Sequence, residues 1–493
     1  MKISTICIGM LTTLTLSLGS PQAISQNAFK ADSAATLKSL TTATPYQDNN
    51  GQIPPKTDYD GPLFKLNHAW PNKPLPPLVD APWQAAIHGG VLTPENARAY
   101  ADALKVAVAD NARRLIMHYD TWDASKANWY NEPWLGSQRE AIHGTYPAGE
   151  FGPSIFPGTG LTATFNTHVV TYYDERSAYT LRKFWREAAL KPDLKTESAQ
   201  FPEGSIIVKA AVFASEDKSK PLGWWDAMKG AQEWKMYIGV GPSSQPAQPP
   251  QVWPGYVAQF DIIVKDSKSS PKTGWAFMTL VYDSNAKGDV WDKMVPLGLQ
   301  WGNDPDATAA GMPLHENWIN PEAPKYSVQT LGWGGRMSGP NDGATNDIAV
   351  DGKIYKNAAD SSCMSCHSTA QWNVAQHKMD SFLLPSFATT SAPGFQTCGD
   401  DGKPNPKGSY ICSPAPGSAG WMKWFQNRLG TEPMDAGSIA TDFDEVFSFK
   451  SLKLWWAAVG PATQVTPQLY MSHGTGTLYN QYNGAPIRAT PQN

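Results

Sequence analysis

VAQFDIIVK (257–265) and GWAFMTLVYD (274–283), separated by DSKSSPKT (266–273), decide how this chain folds. Both runs are rich in Val, Ile, Phe and Tyr, and Ser, Pro, Gly and Asp bound them. That composition reads as strand–turn–strand. SIIVKAAVF (205–213) and WKMYIGV (234–240) have the same character. Four such runs between 205 and 283 predict an antiparallel sheet, and helices on either side of it in the sequence make the class α+β.

Upstream, Thr93-Pro94-Glu95 opens a helix expected to run to about His118. Thr93 is its N-cap, Pro94 lies in its first turn and Glu95 at its positive end. Its apolar stripe is Ala97, Ala101, Leu104, Val108, Ala112, Leu115 and Ile116. A second helix is expected over 176–190. Residues 119–160 read as an aromatic loop region, 243–251 as a Pro-rich connection and 284–360 as long Gly/Asn/Asp-rich loops over the sheet. PNKPLPPLVDAPW (71–83) excludes helix and central strand, because Pro lacks the donor N–H. The arm containing it is expected to wrap the body, burying Phe64, Leu66, Trp70 and Trp83. Trp421, Trp424 and Phe425 repeat at i, i+3, i+4 and read as core. The expected organisation is a signal segment (1–25), an extended arm (26–85), a mainly helical region (86–195), a β-rich domain with long Gly/Pro-rich loops (196–420) and an aromatic extension packed on the body (421–493).

With 41% hydrophobic and 11% aromatic residues, the chain is not disordered, and 41 Gly and 41 Pro exclude a coiled coil. A net charge of −4 gives no nucleic-acid footprint. Lys2, followed by the apolar run Ile3 to Leu18 and small residues near Ala23 and Ser25, reads as a cleaved secretory signal. A periplasmic or secreted protein with no transmembrane segment in the mature chain is therefore expected. Cys7 is lost with the signal. In an oxidising compartment Cys398 and Cys412, which flank a polar Gly/Pro loop, are expected to form a disulfide.

Cys363-Met364-Ser365-Cys366-His367 is C-x-x-C-H, the attachment sequence of haem c. Two thiols at this spacing add to the two vinyl groups of one porphyrin, and the adjacent His367 turns its ring to the iron. Zinc would ask for a second Cys/His pair at short spacing, and a redox CxxC for a βαβ context. One covalent haem c is expected, with His367 proximal. Met434, which follows Pro433, is the leading candidate for the sixth ligand. His377, Met379, Met422, Met471 and His473 are the alternatives. His118, Tyr119, Asp120 and the segment Arg139–His143 are candidates for a distal pocket.

FPEGSIIVK (201–209) resembles the F-P-[DE]-G-x-x-[VI]-V-K strand of the cytochrome P-460 family. Lys265-Asp266 with Thr273-Gly274-Trp275-Ala276-Phe277 resembles its KD…TGGWxF segment, one Gly short, and the CxxCH follows in the same order. The resemblance implies an antiparallel sheet with flanking helices, a five-coordinate haem c and a homodimer. It also implies, in some members, a Lys–haem cross-link serving hydroxylamine oxidation, and in others nitric oxide binding. The lysine it points to is Lys209, with Lys265 second.

The function expected is that of an exported mono-haem c-type cytochrome in redox chemistry: electron transfer with a redox partner protein, or oxidation or reduction of a small molecule such as hydroxylamine, nitric oxide or peroxide. The alternative is a non-catalytic haem protein that binds or senses a gas. A carboxylate or Arg near the iron favours the enzyme, and a Met or His sixth ligand favours the carrier.

Overall fold

The computed structural model describes residues 45–460 apart from 216, 218, 240–248, 343–344, 351–352, 380–396, 399–409 and 412–415, together with short strands at 469–471, 478–480 and 486–487. The expected signal segment lies outside the described residues. Eight antiparallel strands form one sheet. They are β1 (Tyr146–Phe151), β2 (Phe165–Tyr173), β3 (Ile206–Ser215), β4 (Glu233–Ile238), β5 (Gln251–Lys265), β6 (Trp275–Tyr282), β7 (Met294–Gln300) and β8 (Asn317–Ile319). Their order is β1-β2-β3-β5-β6-β7-β8, and β4 pairs with the first part of β5. The α+β architecture with an antiparallel sheet and flanking helices is as the sequence led us to expect.

Side chains alternate across a strand, so each strand feeds two layers. On one face Val208, Ala210, Phe260, Ile262, Val264, Met278 and Leu280 pack with α1 (Ala97–Met117). All seven stripe residues named from the sequence are buried there, along with Tyr100. Each large aliphatic side chain so buried contributes about 1.5–3 kcal/mol. The helix starts after Asn96, later than expected, because Asn96 Oδ1 accepts from Thr93 N and holds Thr93–Glu95 in a turn. On the opposite face Val169, Tyr173, Ile207, Trp275 and Phe277 meet α2 (Glu175–Trp185) and the segment Phe447–Ala457. Asp174 caps α2 by accepting from Ser177 N at 2.7 Å. Phe64, Leu66, Trp70 and Trp83 of the arm are buried as expected, as are Trp421, Trp424 and Phe425.

The structure corrects two segments. Residues 86–195, expected to be mainly helical, also supply β1 and β2, and β2 pairs with β3 along its whole length. Residues 284–360, expected as loops, supply β7, β8 and a hairpin of β9 (Thr345–Val350) and β10 (Lys353–Ala359). Here β7 reads MVPLGLQ, and its Pro and Gly masked the strand. No helix among the described residues is long and apolar enough to cross a membrane.

Arg336 ties the loops on this side. It is fully buried and donates to the carbonyls of Asn303, Asp304, Ala307 and Trp333, with its guanidinium 4.7 Å from the Trp333 ring and 4.9 Å from Phe425. Burial lowers its pKa to about 10, which leaves it charged at neutral pH. Arg336→Met keeps the stem and strips the donors from four carbonyls. Urea denaturation should show a loss of at least about 3 kcal/mol, and a loss under about 1 kcal/mol would contradict this role.

Candidate functional site

Cys363–His367 forms a single helical turn, α3 (Cys363–His367), closed by a capping box. Ser362 Oγ accepts from Ser365 N at 3.1 Å, and Ser365 Oγ accepts from Ser362 N at 2.7 Å. Gln300 of β7 accepts from Met364 N at 3.0 Å, and Cys363 N donates to Met337 O at 3.1 Å. Gly332 permits this docking, since a Cβ there would stand 1.9 Å from the Ser361 carbonyl oxygen.

The turn faces the side of the sheet that carries Lys209, Asp261, Ile263, Phe277 and Thr279, alternate residues of β3, β5 and β6. Two adjoining hollows lie there. The smaller, of about 460 Å³, is lined by Cys363, Cys366 and Thr279 among others. The larger, of about 900 Å³, is walled by Tyr146, Trp275, Phe443, Phe449 and Lys450. The two share Lys209, Ile263, Asp342, His367 and Glu445.

His367 Nδ1 lies 2.7 Å from the Phe443 carbonyl oxygen. A carbonyl only accepts, so Nδ1 is assigned a proton and Nε2 is the ring nitrogen left for a ligand. Nε2 is 3.7 Å from Glu445 Oε2, and the ring leans on Phe277 at 4.7 Å. Phe443 and Asp442 both sit at positive φ (67° and 48°), so the carbonyl that orients His367 comes from a strained turn. Beside it, burial raises the Asp444 carboxyl to about 6, against donation from Tyr173 OH at 2.8 Å. Burial also raises Glu445, while His367 and Lys209 oppose the shift, and Glu445 Oε1 has no hydrogen-bond partner.

Burial, followed by the Asp342 and Asp261 carboxylates, pushes the Cys363 thiol well up. Burial and then Glu445 do the same to Cys366. Both are protonated free thiols, unsuited to a thiolate metal site or to a nucleophilic redox pair.

The structure brings Lys209 to this cavity. Its Nζ lies 2.8 Å from Asp261 Oδ2 and 3.0 Å from Asp342 Oδ1. Burial lowers its pKa, but the two carboxylates outweigh burial and hold the amine protonated. Lys265 instead pairs with Asp442 at 2.6 Å. Met434 does not line the cavity. It packs on the separate cluster of Trp333, Trp421 and Phe425, which also takes Met422. His377 stacks on Trp456 at 3.4 Å, and Met379 packs at the edge of the α2-side core. His473 and the side chain of Met471 lie outside the described residues.

None of the candidates for a distal pocket lines this cavity, and His118 and Asp120 are exposed. Glu140 accepts from the backbone N–H of Ile142, His143, Thr145 and Tyr237. His143 is sandwiched by Trp234 at 4.2 Å and Tyr119 at 3.9 Å. Burial lowers His143 to about 3. In the unfolded chain it titrates near 6.5, so between these values the unfolded state binds the extra proton. The stability advantage of the wild type over His143→Asn should then shrink by about 1.4 kcal/mol per unit as pH falls from 6.5 to 4. Parallel pH profiles from urea denaturation would contradict this.

Sequence reading missed Tyr146, Asp342, Asp444, Glu445, Phe449 and Lys450. Only the approach of β1 and of the 440s to the β3–β5 face brings them together, and no local pattern marks it.

Compared with known protein families, with curated proteins and with solved structures, the chain matches none. The resemblance to the cytochrome P-460 family is therefore not upheld. The domain is a mixed α/β body on a large eight-stranded sheet, not the small, mostly helical fold typical of c-type cytochromes. The description as a cytochrome c is corrected with it. Among the described residues there is no disulfide, and no group of three or more His, Cys, Asp and Glu is placed to hold a metal ion. The expected Cys398–Cys412 pairing itself falls outside the described residues.

Proposed function

We propose that this cavity is a redox site acting on a small molecule, with one haem joined to Cys363 and Cys366 and carried on His367 Nε2. The observation that supports it is the geometry of His367. Its Nδ1 is committed to the Phe443 carbonyl, which leaves Nε2 as the nitrogen for an iron, and the residue lines a cavity that both cysteines border. A haem brings four nitrogen donors of its own, so it asks the chain for one histidine rather than for a cluster. Bound there, it would supply one-electron transfer and a site for a small molecule such as hydroxylamine, nitric oxide or peroxide.

The chain's own residues do the rest. Phe277, Phe443, Ile263 and Trp275 exclude water and keep the local dielectric low. Lys209, locked between Asp261 and Asp342, is a fixed charge beside the thiols. Asp444, whose carboxyl burial raises to about 6, can hold and release a proton beside the cavity wall, and burial raises the neighbouring Glu445 as well. Carboxyl groups here favour turnover over passive gas capture. Met434, the favoured sixth ligand, is packed elsewhere, which favours a small-molecule site over a pure electron carrier. The apolar N-terminal segment supports export to the periplasm or outside the cell.

Absorption spectra of the oxidised and reduced protein, purified from a host able to attach haem, test the reading. A Soret band that stays with the denatured chain is expected. A colourless chain from such a host would overturn the proposal.

A further inference from the structure

The wall of the larger hollow includes a six-residue π-helix, Val446–Ser451, running into α4 (Leu452–Val459). Its i→i+5 bonding brings residues five apart onto one side. Glu445 and Lys450 are so related, and both line the cavity, with Val446 and Phe449 between them. Lys450 is 8% exposed. Its Nζ donates to the Pro147 carbonyl at 3.3 Å and lies 5.5 Å from the Tyr146 ring and 5.3 Å from the Phe449 ring. The Pro147 carbonyl and these two rings carry no charge, and Glu445 attracts the amine from one turn away, whereas Lys209 in the same cavity is clamped by two carboxylates.

We propose that Lys450 is a reactive amine that captures small aldehydes or ketones entering this cavity as imines. The cavity offers Ala148, Val169, Ile207 and Val446 to the carbon chain of such a compound. The part of it open to a ligand, about 140 Å³, takes a molecule the size of a small aldehyde or ketone. In the reaction the Nζ lone pair bonds to the carbonyl carbon, and the carbonyl oxygen takes up a proton. The carbon–oxygen bond then breaks, both Nζ hydrogens leave with that oxygen as water, and C=N remains. No electrons are exchanged and no co-reactant is needed. Desolvation suits an amine to this role, because it favours the uncharged form that attacks. Burial does lower Lys450 to about 7, with Glu445 opposing the shift. Lys453 is lowered to about 7 as well, by burial and then by Lys450, but it does not line the cavity. The inference stands apart from the haem reading.

The test treats the full-length protein at pH 7 with acetaldehyde and cyanoborohydride, which supplies hydride to trap the imine, and maps alkylated lysines by peptide mass. Lys450 should be alkylated about tenfold faster than the exposed Lys56, because burial leaves more of its amine in the free, attacking form at pH 7. That preference should fade as pH rises above 7, where ordinary lysines begin to lose their protons too. Lys450→Arg should abolish the fast phase and Lys453→Arg should retain it. Alkylation of Lys450 no faster than that of Lys56 would overturn the proposal, and the wild-type map alone decides this if either variant fails to fold.

Discussion

Replacing Cys363 and Cys366 together by serine is expected to remove covalently bound haem entirely. A serine hydroxyl does not add to a vinyl group under conditions where a thiol does. Ser is also nearly isosteric with Cys, so the capping box of α3 and its anchors at Gln300 and Met337 survive. The single variants should each keep one thioether and part of the denaturation-resistant colour. His367→Ala should keep both thioethers, and therefore the covalent colour, while its Soret band shifts with loss of the axial nitrogen. The three outcomes separate attachment from ligation. The double-serine chain should remain folded by far-ultraviolet circular dichroism. Equal haem retention in wild type and double variant would contradict the proposed attachment.

What the sequence revealed and what it hid divide along a physical line. The strands β3 to β6 were legible because β-branched and aromatic runs between turn residues are a local signal, and the α1 stripe because helical periodicity is one. The turn 363–367 was legible because its chemistry is written in five consecutive residues. What escaped was non-local. FNTHVVTYY (165–173) alternates too weakly to be called a strand alone, yet it pairs with β3 over nine positions. The cavity wall escaped because Tyr146, Asp342 and Lys450 lie hundreds of residues apart. The π turn at 446–451 escaped because a 3.6-residue period cannot register an i→i+5 segment. Lys209 shows the same limit from the other side. Its place at the site could be inferred, but the carboxylates that hold it charged could not, since Asp342 comes from a distant loop.

The second large effect is expected at Asp442. Its side chain is wholly buried and serves three partners: Lys265 Nζ at 2.6 Å, Trp275 Nε1 at 2.8 Å and Phe201 N at 2.8 Å. Gly430 lets it in, because a Cβ there would stand 1.7 Å from Asp442 Oδ1. The same residue holds the strained φ of 48° that leads into Phe443, whose carbonyl orients His367. Asp442→Ala leaves a buried ammonium and two buried N–H groups without their acceptor. Removing one member of a buried ion pair costs about 3–5 kcal/mol, a third or more of the roughly 5–15 kcal/mol that holds a typical domain. Asp442→Asn separates the contributions. Asn tolerates positive φ and can still accept a hydrogen bond, so it should lose the charge pairing while keeping the turn. Urea midpoints should therefore fall in the order wild type, Asn, Ala. If the His367 ring depends on this turn, the Ala variant should also broaden the Soret band of the haem-loaded protein, and Asp442→Asn, which keeps the turn, should broaden it less. Wild-type stability in Asp442→Ala would remove the turn from the account of how His367 is held.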